Sequence, residues 1–178
     1  MHQDFPHKEA EVERLKAMGL RGVKIHPDIQ GVAMNDPRFD ALYGALSEHN
    51  LVLLAHTGDL RYHNSNTPEI LDVLARFPRL KIICAHLGSW SNWTQGVTML
   101  AGRENVYVDI SSSLYALTPE KAAEIVRAYG ANRVLFGSDF PMWTPAGELE
   151  KLARLGLTKE ETECVLHKNA EELLGIEG

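Results

Sequence analysis

Short apolar runs alternate along this chain with longer stretches of helical spacing. Residues 22–26, 51–55, 80–85, 106–110 and 133–138 each read as a strand, because each is a brief, nearly continuous apolar run closed by a turn residue. Between them the period changes. Val12, Leu15 and Met18 fall on one helical face, and Gly19 stops that helix over 9–18. Further helices are predicted over 37–48, 67–77, 118–130, 146–154 and 159–174. Pro37, Pro68 and Pro119 sit at first-turn positions, where a missing N–H costs nothing. Thr67 is a candidate cap, and Thr158 with Glu161 has the spacing of a capping box.

Apolar strands alternating with amphipathic helices indicate an α/β fold, a parallel sheet covered by helices. This pattern alone fits either an open doubly wound sheet or a barrel. With 178 residues the chain is read as one domain, 1–178, able to bury a core without staples. A net charge of −6 with no basic patch argues against nucleic acid as a partner. No run approaches the roughly 18 apolar residues of a membrane span, so no membrane partner is expected. Two cysteines, Cys84 and Cys164, and no signal pattern at the start make the cytoplasm the expected compartment.

The strand ends carry the chemistry. His26, His56, His86 and Asp139 each close a predicted strand, and in parallel α/β folds the C-terminal strand ends hold the active site. A lone histidine there is usually structural, but four such residues at equivalent positions point to a shared site. Imidazole nitrogen and carboxylate oxygen suit zinc, iron or manganese, and a bound cation brings the pKa of water toward neutrality. Cys84 reads as a small core residue. Trp90 and Trp93 either line a pocket or pack a helix, and Ser111-Ser112-Ser113 offers hydroxyls at a strand end. No G-x-S-x-G elbow and no glycine-rich phosphate loop is present.

Four motifs, Gly22-Val23-Lys24-Ile25-His26-Pro27, Ala55-His56-Thr57-Gly58, Ala85-His86-Leu87-Gly88 and Phe136-Gly137-Ser138-Asp139-Phe140-Pro141, together resemble the amidohydrolase-related family. That family includes the aminocarboxymuconate semialdehyde decarboxylase-like barrels. Lys168-Asn169-Ala170-Glu171-Glu172-Leu173-Leu174-Gly175 is similar to its final helix. The resemblance implies a TIM (β/α)8 barrel of which strands four to eight are present. By the same resemblance, His56 is a metal ligand, and His86 is the catalytic histidine or a further ligand. Asp139 would bind the metal and handle the proton of the attacking water. His26, Arg61 and Tyr62 would meet a small-molecule substrate. A divalent metal, zinc first, is the expected cofactor.

One departure changes the picture. The family carries a His-x-His pair on its first strand, and none occurs here. A whole barrel needs about 250 residues, and His2-Gln3-Asp4 resembles the end of strand three. An incomplete barrel is therefore expected, with weak metal binding, slow or absent turnover, and possible homo-oligomers through open sheet edges. The implied activity is hydrolysis of a C–N, C–O or lactone bond. The alternatives are a non-oxidative decarboxylase on the same fold, or a non-catalytic remnant or binding module.

Overall fold

The computed structural model describes residues 1–176. The apolar runs form β1 (Gly22–Ile25), β2 (Val52–Ala55), β3 (Lys81–Cys84), β4 (Val106–Asp109) and β5 (Val134–Leu135). They make one parallel sheet in the order β1-β2-β3-β4-β5. A doubly wound sheet reverses its strand order at a switch point. This one never reverses. It is an incomplete α/β barrel, and β1 and β5 are its two edges.

The helices are α1 (Lys8–Ala17), α2 (Pro27–Gln30), α3 (Asp40–His49), α4 (Thr67–Arg76), α5 (Trp93–Leu100), α6 (Pro119–Tyr129), α7 (Pro145–Leu152), α8 (Lys159–Glu163) and α9 (Asn169–Leu174). Alternation along the strands sends Ile25, Leu53, Ala55, Ile82, Cys84, Val108 and Val134 into the core beneath the helices. Burying each large aliphatic side chain there contributes about 1.5–3 kcal/mol. Cys84 belongs to this core, and burial pushes its thiol pKa up, so it is no nucleophile. On the other face Val52 and Leu135 meet Leu173 of α9, with Ile83 and Tyr107 against them. None of the helices among the described residues is long and apolar enough to cross a membrane.

Thr158 and Glu161 form the expected capping box, with Glu161 N–H donating to Thr158 Oγ1 at 3.1 Å and Thr158 N–H donating to Glu161 Oε2 at 2.8 Å. Thr67 does not cap α4. It is already the first helical residue, and its buried hydroxyl finds no hydrogen-bond partner among the described residues. The segment 133–138 pairs only at Val134–Leu135, because Phe136 N–H turns away and donates to Val165 O at 2.7 Å. That carbonyl belongs to a π-turn at Cys164–Lys168, which interrupts the helix expected over 159–174. Asn169 ties the turn down by donating to Ala131 O and Val134 O.

Helix α5 was not legible in the pattern. Its sequence Trp-Thr-Gln-Gly-Val-Thr-Met-Leu has weak propensity and no side-chain cap. Packing sustains it: a Cβ at Gly96 would stand 3.0 Å from Tyr129 Oη and 3.2 Å from Leu87 O, so a larger residue would need these neighbours to give by a few tenths of an ångström.

Candidate active site

Parallel register brings the strand ends level. Ile25 pairs with Ala55 and Ala55 with Cys84, and His56 N–H donates to Ile25 O at 3.2 Å. His26, His56 and His86 therefore meet at one rim of the sheet.

His86 lies just beyond β3 in a left-handed turn, with φ 62° at His86 and 52° at Leu87. Two such non-glycine residues are strained by about 1–3 kcal/mol each, and neighbouring elements hold them. His86 N–H donates to Asp109 Oδ1 at 3.1 Å, and Leu87 N–H to Asp109 O at 2.7 Å. The Trp93 indole N–H donates to His86 O at 3.1 Å. His86 Nδ1 lies 3.0 Å from Ser111 O. A carbonyl only accepts, so Nδ1 carries the proton of the neutral ring and Nε2 presents its lone pair.

That lone pair faces His56 Nδ1 at 3.0 Å. Burial, then the charges of His86, His26 and Lys24, push the His56 pKa down to about 3, so its ring is neutral near pH 7. Its other nitrogen, Nε2, is buried and makes no hydrogen bond among the described residues. The Asp28 carboxylate stands 3.7 Å from it. The His26 ring stacks on His56 at 3.9 Å with an interplanar angle of 9°. His26 Nδ1 itself accepts Ile29 N–H, capping α2.

Asp139 follows the short β5, at φ 56°. The Trp143 indole donates to Ser112 Oγ at 3.0 Å, and Ser112 Oγ lies 2.7 Å from Asp139 Oδ2. An indole N–H cannot accept, so the Ser112 hydroxyl gives its single proton to Asp139.

A cavity of about 290 Å³ opens over these groups, lined by Lys24, His26, His56, His86 and Asp139. Trp90, Tyr115 and Trp143 form an aromatic wall, with Tyr115 and Trp143 stacked at 5.0 Å. The Lys24 ammonium stays in reach of solvent, yet surrounding protein lowers its pKa, opposed by the charges of Asp109 and Asp139. Arg61 also lines the cavity, but its guanidinium is forked onto Asp59 at 2.9 and 2.7 Å, which holds the Asp59 carboxyl below its ordinary range. Tyr62 is not brought in. It is exposed and faces a separate hollow beside Leu60 and His63.

The residues present fit a divalent cation. Two nitrogens 3.0 Å apart attract only with a proton or a cation between them, and the spacing suits neighbouring ligands with metal–nitrogen bonds of about 2.0–2.1 Å. The Asp139 carboxylate lines the same cavity and would add an oxygen donor. Among the described residues, one group of three donors, His26, Asp28 and His56, has its ligand atoms within 4.8 Å of one another. Its two rings are parallel and stacked, and a ring lone pair lies in the ring plane, so one ion cannot lie in both planes.

A family model described as amidohydrolase matches residues 4–176. The chain belongs to the amidohydrolase family. It is 30% identical over 125 residues to the decarboxylase orsB of Emericella nidulans, covering 58% of this chain and 37% of that protein. It is 27% identical over 147 residues to an L-fucono-1,5-lactonase of Burkholderia ambifaria, covering 72% and 48%. An uncharacterized TIM-barrel protein of Bordetella bronchiseptica superposes with a TM-score of 0.80 at 27% identity, over 93% of this chain and 61% of its own. A dihydroxybenzoic acid decarboxylase of Polaromonas sp., solved with bound manganese, superposes at 0.72 with 16% identity, over 94% and 64%. The chain thus spans less than half the length of the two curated relatives.

Among these groups the motifs marked His26, His56, His86 and Asp139, and Ser112 was marked only as one of three hydroxyls at a strand end. Three groups went unmarked. Lys24 had a signal, since it shares a strand face with His26. Asp28 and Trp143 had none, because each reaches its partner across the fold. Trp90 and Trp93, left open by the sequence, divide: Trp90 lines the cavity and Trp93 begins α5.

Proposed function

We propose that this amidohydrolase chain carries the strand-four-to-eight half of a metal-dependent hydrolase site, which cleaves a C–N, C–O or lactone bond with water. The observation that carries the reading is the approach of His56 Nδ1 to His86 Nε2 at 3.0 Å beside a cavity that Asp139 also lines. These three would hold a divalent cation, with zinc and manganese both compatible with the donors. The bound cation supplies Lewis acidity and lowers the pKa of a water beside it. Asp139, one oxygen fixed by Ser112, has its other oxygen to take the proton of the attacking water and return it to the leaving group. Lys24 places a positive charge where a carbonyl or carboxylate oxygen of the substrate would lie. The aromatic wall suits a flat substrate and excludes water from one side. His26 stacks on His56 and lines the substrate face.

A decarboxylase is the second reading, favoured by a cavity that Lys24 and the aromatic wall both line, which suits a planar acid, and by the likeness to orsB. A panel of lactones, followed by proton release, and of amides, followed by the released amine, with zinc or manganese added, separates the two. Hydrolysis that is lost in Asp139→Asn is expected. Carbon dioxide released from hydroxybenzoates would favour the decarboxylase. Inertness toward both panels would leave a non-catalytic module.

A further inference from the structure

The His56 ring has two nitrogens, and only one of them meets His86. The other, Nε2, is buried without a hydrogen bond among the described residues and stands 3.7 Å from Asp28 Oδ2. We propose that Asp28 is a positioning residue for His56: its carboxylate accepts a hydrogen bond from Nε2–H, so that Nδ1 is the nitrogen offered to the cation. This rests on the metal-centre reading above.

Asp28 is built to do this. Its side chain is 2% exposed, so its charge needs donors. Ser65 Oγ donates to Oδ2, and Asn64 N–H donates to Oδ1 at 3.3 Å. Both are neutral donors from the loop after β2. Gly58 N–H donates to Ser65 O at 2.9 Å, which fastens that loop beside the His56 strand end. The carboxylate is thus held in place with a side left for a third donor, and His56 Nε2 lies there.

The electrostatics then choose the tautomer. With its proton on Nδ1, His56 turns the Nε2 lone pair toward a carboxylate, which repels it. With the proton on Nε2, an N–H dipole faces the same carboxylate and is attracted. Only the second form leaves the Nδ1 lone pair free, next to the His86 lone pair. The separation of 3.7 Å is within ion-pair range and longer than a hydrogen bond, so the contact tightens as the proton moves to Nε2. A carboxylate behind a ligating histidine fixes its ring and raises its basicity. Direct ligation by Asp28 fits less well, since both of its oxygens already accept hydrogen bonds.

The test compares manganese binding by the whole chain, read from the electron paramagnetic resonance of the free ion, in wild type, Asp28→Asn and His56→Ala. Circular dichroism and thermal melts check folding. Asp28→Asn should weaken binding by roughly 10- to 100-fold while remaining folded. In the zinc-loaded wild type, 15N-histidine spectra should show His56 protonated at Nε2 with a strongly deshielded proton, which moves upfield in Asp28→Asn. A purely structural role for Asp28 would not move that proton. Should Asp28→Asn fail to fold, Ser65→Ala removes one anchor and should weaken binding by several-fold. Wild-type affinity in Asp28→Asn beside weak binding in His56→Ala overturns the role of Asp28 and leaves the centre standing. Wild-type affinity in His56→Ala, or no binding by wild type, overturns both. A zinc-loaded His56 protonated at Nδ1 also overturns the proposal.

Discussion

His56 Nδ1 and His86 Nε2 stand 3.0 Å apart, although the two residues are separated by a helix and a strand in the chain. The contact exists because β2 and β3 pair in parallel and end level, and because the left-handed turn at His86 swings its ring back over the sheet. Burial, and the charges around it, keep the His56 ring neutral near pH 7.

This neutrality makes stability depend on pH. The His56 side chain is 11% exposed and its folded pKa falls to about 3, against 6.5 for the free side chain. Between those values the unfolded chain binds a proton that the folded chain refuses. Stability from this group is therefore fully present above about pH 6.5 and is lost as pH falls toward 3, by about 1.4 kcal/mol per unit. His26, also lowered by burial, acts in the same direction. Urea melts of the metal-free chain between about pH 4 and 7 should show this slope, reduced in His56→Asn. Equal slopes would refute the assignment.

Ser112 should matter to turnover more than to folding. Removing its hydroxyl in Ser112→Ala frees Asp139 Oδ2 and leaves the Trp143 indole N–H without its acceptor. A hydrogen bond to a charged group is worth about 1.5–3 kcal/mol, so kcat/KM on any hydrolysed substrate should fall roughly 10- to 100-fold. Trp143→Phe, which keeps a ring but not the donor, should fall less. Unchanged kcat/KM in both variants would remove Ser112 from the mechanism.

Gly58 is a stability hinge beside the site. Its φ is +83°, and a Cβ there would stand 2.3 Å from Trp90 N and 2.5 Å from Ser89 C. Those atoms are backbone and cannot step aside. Gly58→Ala should destabilise by about 2–4 kcal/mol, the left-handed strain plus the displaced strand-end bridge. Chemical denaturation measures it directly, and a loss under 1 kcal/mol, roughly the helix-interior cost of glycine itself, would show the close approach to be pliable.

The edges of the sheet predict self-association. β1 and β5 each have one side without a neighbouring strand, although the Met1 ammonium donates to Lys24 O beside β1, and the C-terminal turn partly covers β5 through Asn169 to Val134 O and Phe136 N–H to Val165 O. Exposed strand edges pair with other chains. Sedimentation velocity across a concentration series should show dimers or larger species that increase with concentration. A single monomeric species throughout would mean that the edges are protected in solution.

The strand and helix alternation, the parallel sheet, and the residues at the strand ends were all legible in the chain. They depend on local period, and a strand end is marked wherever an apolar run stops at a histidine or aspartate. The choice of barrel over doubly wound sheet came from the order of the strands, which no local period encodes. Tertiary structure also decided the arrangement of the site. It forked Arg61 onto Asp59, turned Tyr62 away, and shortened β5 by lending Phe136 a carbonyl from the C-terminal π-turn. It brought Asp28 to Ser65 across 37 residues and Ser112 to Asp139 across 27. Such contacts follow from strand register and from turns held by neighbouring backbone, and both are properties of the assembled sheet. The sequence thus determined which chemical groups reach the rim. Only packing decided which nitrogen faces which, because a ring's orientation is set by the groups packed around it.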